Sequence, residues 1–452
     1  MRAGVGRSVI TPPVGIPMEG FAGRPAATQV HDDLTATALV LEAVPGGGKP
    51  VGTSPVRLAM VACDLVSISD HHVRRIKTAI TKLTGVPDEL ILLSSSHNHY
   101  GPVTDADGGG LTGGEAADPR VTAYVDNLVN LIAGAVKTAA SDCRPARLFA
   151  GAGSVAVGVN RRERLSDGRI VLGQNPDGPV DPRLAVLRVD TSDGRPLAAV
   201  MNYACHAVSL GRSCTSVTAD FPGAARRLLE DVTGATCLFL QGAAGDIDPL
   251  LMDEQWNHLD RLGLPLGAEA VRVFWEATEI DLEDASISYQ REVLRLPPML
   301  PESEEAAVAA LEEMKREEEA AAAENDHAEV YWARSRIRRM EHARSALKGD
   351  GPPLPSVAAE LTSIGIGHQF GVITVPGELF NEIGRRIVAK SPFAHTLFAG
   401  YTNGSIDYVP TREAYAEGGY EVTHGCHVAP EAGEMIEEGA VRLLQAVAPT
   451  PR

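Results

Sequence analysis

The stretch Glu89-Leu-Ile-Leu-Leu-Ser-Ser-Ser-His-Asn-His-Tyr-Gly-Pro102 decides how this chain is read. Its first half is short and almost wholly apolar, so it reads as a buried strand rather than a surface helix. Tyr100-Gly101-Pro102 is a turn signal. His97 and His99 therefore emerge together where a sheet meets solvent, which is where open α/β sheets carry their sites. In a strand-like His-x-His, both side chains point to one face. Both then reach a single site, as two ligands or as one ligand and one acid/base group. Imidazole is the commonest protein ligand for zinc. The alternative is a pair of hydrogen-bonded surface histidines.

Composition narrows the partners. The formal charge of −18 over 452 residues argues against nucleic acid or an anionic membrane, since both need basic patches. A small-molecule substrate is the expected partner, and oligomeric state stays open, a homo-oligomer included. No segment approaches the ~20 apolar residues of a membrane span. The N-terminus has no apolar stretch of a secretory signal and enters its first strand at once. Cys63, Cys143, Cys205, Cys214, Cys237 and Cys426 form no C-x-x-C pair, so reduced thiols in a cytoplasmic protein are expected. Cys205 adjoins His206, weak grounds for a nucleophile.

Apolar runs and helical periods alternate along residues 1–300. Strands are expected at Thr37–Ala43, Val56–Cys63, Leu90–Ser96, Arg147–Val157, Leu184–Val189, Ala198–Ala204 and Cys237–Gln241, and helices at His71–Leu83, Val121–Ala140, Ala224–Val232 and Gly267–Ala277. Residues 302–349 differ, an Ala/Glu-rich stretch followed by an Arg-rich one with a break at Asn325-Asp326. They read as a helical hairpin of complementary charge, a solvated insert before a lid or dimer contact. Strands Val357–Ile366, Gln369–Val375 and Thr396–Tyr401 and helices Leu379–Ala389 and Ala429–Ala446 follow. The fold class is α/β (α+β mixed), with central mixed sheets flanked by helices.

Other reactive groups stand just past apolar runs. His206 follows Leu197–Cys205, Glu378 follows Phe370–Val375 across Pro376-Gly377, and Asp246 and Asp248 follow Ala235–Leu240 within Gln241–Pro249. Two histidines and a carboxylate form a common catalytic zinc set that leaves a position open for water.

These residues resemble a family, the neutral (non-lysosomal) ceramidases and their shorter bacterial relatives. The motifs are Ser94–Pro102, Asn160-Arg161, the His206 segment, Gln241–Pro249, Val375-Pro-Gly-Glu378, and Tyr408–Tyr415 with Tyr420. The resemblance implies zinc held by His97, His206, Glu378 and Tyr408. It implies that His99 and Tyr420 line the active site, that Arg161 takes part in it and that Gly20 borders the pocket. It implies one catalytic domain over 1–452 with the hairpin at 302–349 as an insert, without the family's C-terminal immunoglobulin-like domain.

The chain departs from the family where Asp248 replaces a serine before proline. A carboxylate there suits a general base or a contact to a polar substrate group. The expected activity is zinc-dependent hydrolysis, with metal-activated water attacking an amide of a small soluble substrate rather than ceramide. His99 and Tyr420 would stabilise the oxyanion or protonate the leaving group, and Arg161 would hold a polar or anionic substrate group. A zinc lactonase or esterase and a non-catalytic metal-binding relative are the rivals. N/O ligands also suit iron, manganese or nickel. No G-x-S-x-G elbow supports a serine nucleophile. Specificity is assigned to the loops Thr104–Ala117 and Arg161–Gly178.

Overall fold

The computed structural model describes residues 1–43, 55–104, 118–282 and 287–449. Strands β1 (Arg2–Val9), β2 (Thr35–Ala43) and β3 (Val56–Cys63) precede helix α1 (Asp70–Thr84), strand β4 (Ile91–Ser95) and helix α2 (Pro119–Ser141). Then come β5 (Arg144–Ser154), the hairpin β6 (Gly158–Arg164) and β7 (Ile170–Asn175), β8 (Arg183–Thr191) and β9 (Pro196–Tyr203). Helix α3 (Asp220–Thr233) leads to β10 (Thr236–Gln241), β11 (Ile247–Pro249) and α4 (Asn257–Glu276).

The large sheet runs β10-β9-β8-β5-β1-β2-β3-β4. Its middle is antiparallel, and each end closes in a parallel pair, β9 with β10 and β3 with β4. It is thus mixed, as the strand and hairpin signals predict. β4 runs opposite to β9 and β10 in the sheet order, yet the segments beyond their carboxyl ends meet. An isolated parallel bridge between Asn98 and Ala207 joins the loops after β4 and β9.

A second sheet, β12 (Ile287–Leu296), β13 (Val357–Ile366), β14 (Phe370–Thr374) and β16 (His395–Ala399), brings in the C-terminal third. Between its strands lie the two-residue strand β15 (Glu378–Leu379) and helix α7 (Asn381–Ala389). Strand β17 (Tyr408–Val409) pairs with β15 in parallel, Glu378 opposite Tyr408. Helix α8 (Ala432–Val447) closes the chain over β12 and β13. The region expected as one helix from Leu379 therefore starts with a strand residue, and the helix begins at Asn381, whose backbone amide donates to the Asp246 carboxylate at 2.7 Å.

Two helices, α5 (Glu304–Ala323) and α6 (His327–Lys348), occupy the charged segment. Asp326 caps α6 by accepting from the amides of Ala328 and Glu329, and Gly349 (φ 73°) ends it. Their facing charges pair as Arg334–Glu318 (2.7 Å), Arg336–Glu317 (3.0 Å) and Lys348–Glu304 (2.7 Å).

Helix α2 lies directly on β1. A Cβ on Gly6 would overlap the carbonyl of Ala135 and approach the Ala139 amide to 2.9 Å. Among the described residues no helix is long and apolar enough to cross a membrane. All six cysteines are free thiols. Gly6→Val should destabilise the fold by about 3 kcal/mol, because backbone must move to admit the side chain. Equilibrium urea unfolding measures this.

Candidate metal centre

The turn after β4 departs from the strand-like reading. The ladder ends at Ser95, and His97 takes a left-handed conformation, φ 58°. The reversal is held by Ser96 N–H to Cys63 O (2.9 Å) and Asn98 N–H to Leu65 O (3.1 Å). The two imidazoles still meet, with His99 Nε2 3.0 Å from His97 Nε2. A turn, not strand alternation, brings them together.

His206 arrives from the other end of the sheet. Its Nε2 lies 3.1 Å from His97 Nε2. Glu378, from β15, places Oε2 3.2 Å from His97 Nε2 and 3.3 Å from His206 Nε2. All four side chains are buried. Gln241, at the end of β10, ties the two histidine loops together. Its side-chain amide donates to Ser96 O (3.1 Å) and Cys205 O (2.7 Å), the carbonyls just before His97 and His206.

The outer nitrogens decide what the inner ones carry. His97 Nδ1–H donates to Val66 O at 3.1 Å, and His206 Nδ1–H donates to Ala244 O at 2.7 Å. Both Nε2 atoms then present lone pairs to each other and to a carboxylate. Burial pushes the His206 pKa down, helped by Arg161. Three acceptors this close repel one another unless a cation lies between them. Zinc bonds of 2.0–2.1 Å at a tetrahedral angle separate donor atoms by about 3.3 Å, close to the spacings found. The donor set fits a divalent metal.

His99 differs from its neighbours. Its Nδ1 is buried with no hydrogen-bond partner, whereas metal-bound histidines almost always donate their second nitrogen. Burial, followed by His97 and His206, pushes its pKa well below 6.5, so the ring is neutral. It packs edge-on against Phe21, with centroids 5.0 Å apart. Gly20 (φ 102°) leaves it room, since a Cβ there would lie 2.5 Å from the ring.

His97, His99, Glu378, Tyr408, Tyr420 and Gly20 all line one cavity of about 400 Å³. Tyr408 reaches it because its strand pairs with that of Glu378. Its hydroxyl accepts from Arg161 Nη2 at 3.0 Å, and burial raises its pKa well above 10 despite Arg161. Tyr420 lies 6.0 Å from Tyr408, ring to ring, and stacks on His424 at 5.0 Å.

Arg161 and Asp248 do not stand where the sequence puts them. Neither lines the cavity. Arg161 Nε donates to Glu421 (2.8 Å), Nη1 to Asp248 (3.1 Å) and Nη2 to Tyr408, with Nη1 also 3.4 Å from His206 Nε2. Its donors hold Glu421, Asp248 and Tyr408, so the guanidinium braces the Tyr408 hydroxyl from behind the cavity. Asp248 is its buried counter-ion. Arg162 turns away to Glu421 Oε2 (2.8 Å), which resolves the doublet. Asp246, buried, has its pKa raised to about 7 by desolvation, and it accepts from Asn381 N–H and Asn160 Nδ2. It braces the loop.

Four residues with a place at the site are missed by the sequence reading. Tyr401, 4.3 Å ring to ring from His97, follows an apolar strand as His97 itself does. Glu421 holds both arginines. Tyr331 and Trp332 of α6 line the cavity, so the insert's inner face is not merely solvated. Of the loops expected to set specificity, 105–117 lies outside the described residues, and 161–178 is largely the β6–β7 hairpin.

His97→Ala and His206→Ala should each abolish stoichiometric metal by elemental analysis. Gln241→Met should weaken metal about 10–100-fold in chelator competition, as loss of a bracing partner does. Arg161→Met should cost about 3 kcal/mol in urea unfolding, because Asp248 is left buried and unpaired while Glu421 keeps Arg162; a substrate-only arginine would cost far less.

Residues 1–253 match the family described as neutral/alkaline non-lysosomal ceramidase, N-terminal. The neutral ceramidase of Pseudomonas aeruginosa is 24% identical over 93% of this chain and 68% of its own length. The crystal structure of neutral ceramidase from that organism superposes with a TM-score of 0.72 at 21% identity, covering all of this chain and 75% of that one. A ceramidase complexed with C2 gives 0.70 at 20% identity, again over the whole chain and 76% of that one. The matched segment carries His97, His99, Arg161 and His206 and spans more than half the chain, which belongs to the neutral/alkaline non-lysosomal ceramidase family, hydrolases acting on amide bonds.

Proposed function

We propose that this protein is a zinc-dependent hydrolase that opens the amide C–N bond of a small soluble substrate. The observation that carries the reading is the convergence of two imidazole lone pairs and a carboxylate oxygen within 3.3 Å. His97, His206 and Glu378 are the proposed donors, with Tyr408 as a fourth. When bound, the metal supplies Lewis acidity and lowers the pKa of a coordinated water, to about 7 for zinc. His99 is the acid/base group. It is neutral, its Nδ1 is unengaged, and a neutral imidazole takes a proton from water and returns it to the leaving nitrogen. The protonated hydroxyl of Tyr420, whose ring lines the same cavity, donates to the carbonyl oxygen as charge develops on it.

A small substrate is favoured over ceramide by the cavity. About 400 Å³ lies near the lower end of ligand pockets, ~300–1,000 Å³, and carboxylate, hydroxyl and imidazole groups share the lining with apolar surface. The six free thiols support a reducing, cytoplasmic setting.

Acid released from N-acyl amides should vanish with a chelator and return with zinc. His99→Gln should keep its metal and lose about 10²-fold in kcat. Loss of metal in His99→Gln would make His99 a ligand, and turnover of esters or lactones but no amide would favour the rival chemistry.

A further inference from the structure

Tyr401 stands just past β16 on a backbone that its side chain does not favour. Its φ is 52°. Among the described residues, the other non-glycine positions with positive φ are His97, Asp220, Asn325, Asn403 and Asp407. Those are residue types that enter this region more readily, whereas a bulky aromatic residue there is an outlier. Such a conformation persists only where its surroundings over-determine it, and it clusters at functional sites. Around Tyr401 the surroundings are the segments that carry the three donors. Ser95 N–H, two residues before His97, donates to Tyr401 O at 3.0 Å. Tyr401 N–H donates to Gly377 O, one residue before Glu378, at 3.4 Å. Gly400 N–H donates at 3.0 Å to the carbonyl of Gln241, the residue that braces the His206 loop.

From this turn the Tyr401 ring reaches both histidines. It lies tilted on His97, with centroids 4.3 Å apart and 36° between planes, and edge-on to His206 at 6.5 Å. The two imidazoles are not braced alike from behind. His206 Nδ1 has Ala244 O at 2.7 Å and Ile247 O at 3.2 Å. His97 Nδ1 has Val66 O at 3.1 Å. One hydrogen bond in the ring plane fixes the tautomer but restrains the tilt of the ring weakly, and an aromatic face packed against it restrains that tilt. Tyr401 offers its ring rather than its hydroxyl, which is buried without a hydrogen-bond partner among the described residues.

We propose that Tyr401 is a positioning residue of the metal centre, whose ring fixes the plane of the His97 imidazole so that Nε2 points into the space shared with His206 and Glu378. This rests on the metal-centre reading and adds to it a residue that is not itself a donor.

The full-length protein is stripped of metal, then titrated with zinc against a chelator and with cobalt(II), whose visible absorption reports the geometry of its ligands. Tyr401→Met fills the space without a flat ring. It should weaken zinc about tenfold, as loss of a partner that orients a ligand does, and it should alter the cobalt spectrum. Tyr401→Gly takes positive φ freely and removes the ring alone, so it should show the same loss and decides the matter if the methionine variant fails to fold. Tyr401→Phe should bind zinc within about threefold of wild type, with an unchanged cobalt spectrum, because it loses only an unpartnered hydroxyl. Urea unfolding of the metal-free variants separates folding from binding. A merely structural tyrosine would lower the unfolding midpoint of the methionine and glycine variants while the folded protein kept wild-type zinc affinity and cobalt spectrum. That result, or a phenylalanine variant as weak as the methionine one, would overturn the proposal. Wild-type protein that binds neither zinc nor cobalt would refute the metal-centre reading itself, and the proposal with it.

Discussion

Two imidazole nitrogens and a carboxylate oxygen, all acceptors, stand within 3.3 Å of one another in a buried pocket. Without a cation this arrangement is repulsive, and low local dielectric makes the repulsion worse. It persists because each ring is locked from behind. Carbonyls of Val66 and Ala244 take the outer imidazole protons and so keep the inner lone pairs bare. The pocket is therefore organised for positive charge before any ligand arrives, and the surrounding fold can be read as the means of holding it so.

That means is largely backbone geometry. The large sheet ends in two parallel pairs, and the loops after β4 and β9 meet at the bridge between Asn98 and Ala207. Gln241 then joins the two histidine loops through their last carbonyls. The second sheet contributes Glu378 through a two-residue ladder that also places Tyr408. Behind Tyr408 lies a buried cluster of Arg161, Glu421, Asp248 and Arg162. Its charges offset one another, so the guanidinium can sit 3.4 Å from His206 without becoming a substrate contact. Asp248 is thus tied to Arg161 by a buried ion pair at 3.1 Å.

The helical pair α5–α6 adds a wall to the cavity instead of standing apart from it. Arg339 of α6 donates to His427 Nδ1 at 2.7 Å, and the same helix face carries Tyr331, Trp332 and Ser335 into the lining. Helical spacing puts positions 331, 332, 335 and 339 on one side. The same period is present in the bare sequence, but nothing local says which neighbour that side meets.

Much of the architecture was legible because it rests on local signals. Runs such as Leu90–Ser96 and Phe370–Val375 bury as strands whatever surrounds them, and reactive residues just beyond such runs collect at a sheet's edge. His97, His206 and Glu378 were found this way, and the family resemblance added Tyr408, Tyr420 and Gly20 to the lining. The hairpin β6–β7 was missed because its exposed, charged strands carry weak alternation. The turn at His97 departs from the strand-like reading because its left-handed φ goes with hydrogen bonds to Cys63, the last residue of β3, and to Leu65 just beyond it. Chain order alone thus specified which side chains could bind a cation. Which of them face the ligand and which, like Arg161 and Asp248, neutralise each other behind it depended on long-range pairing, since the direction of a buried charge is set by partners that may lie hundreds of residues away.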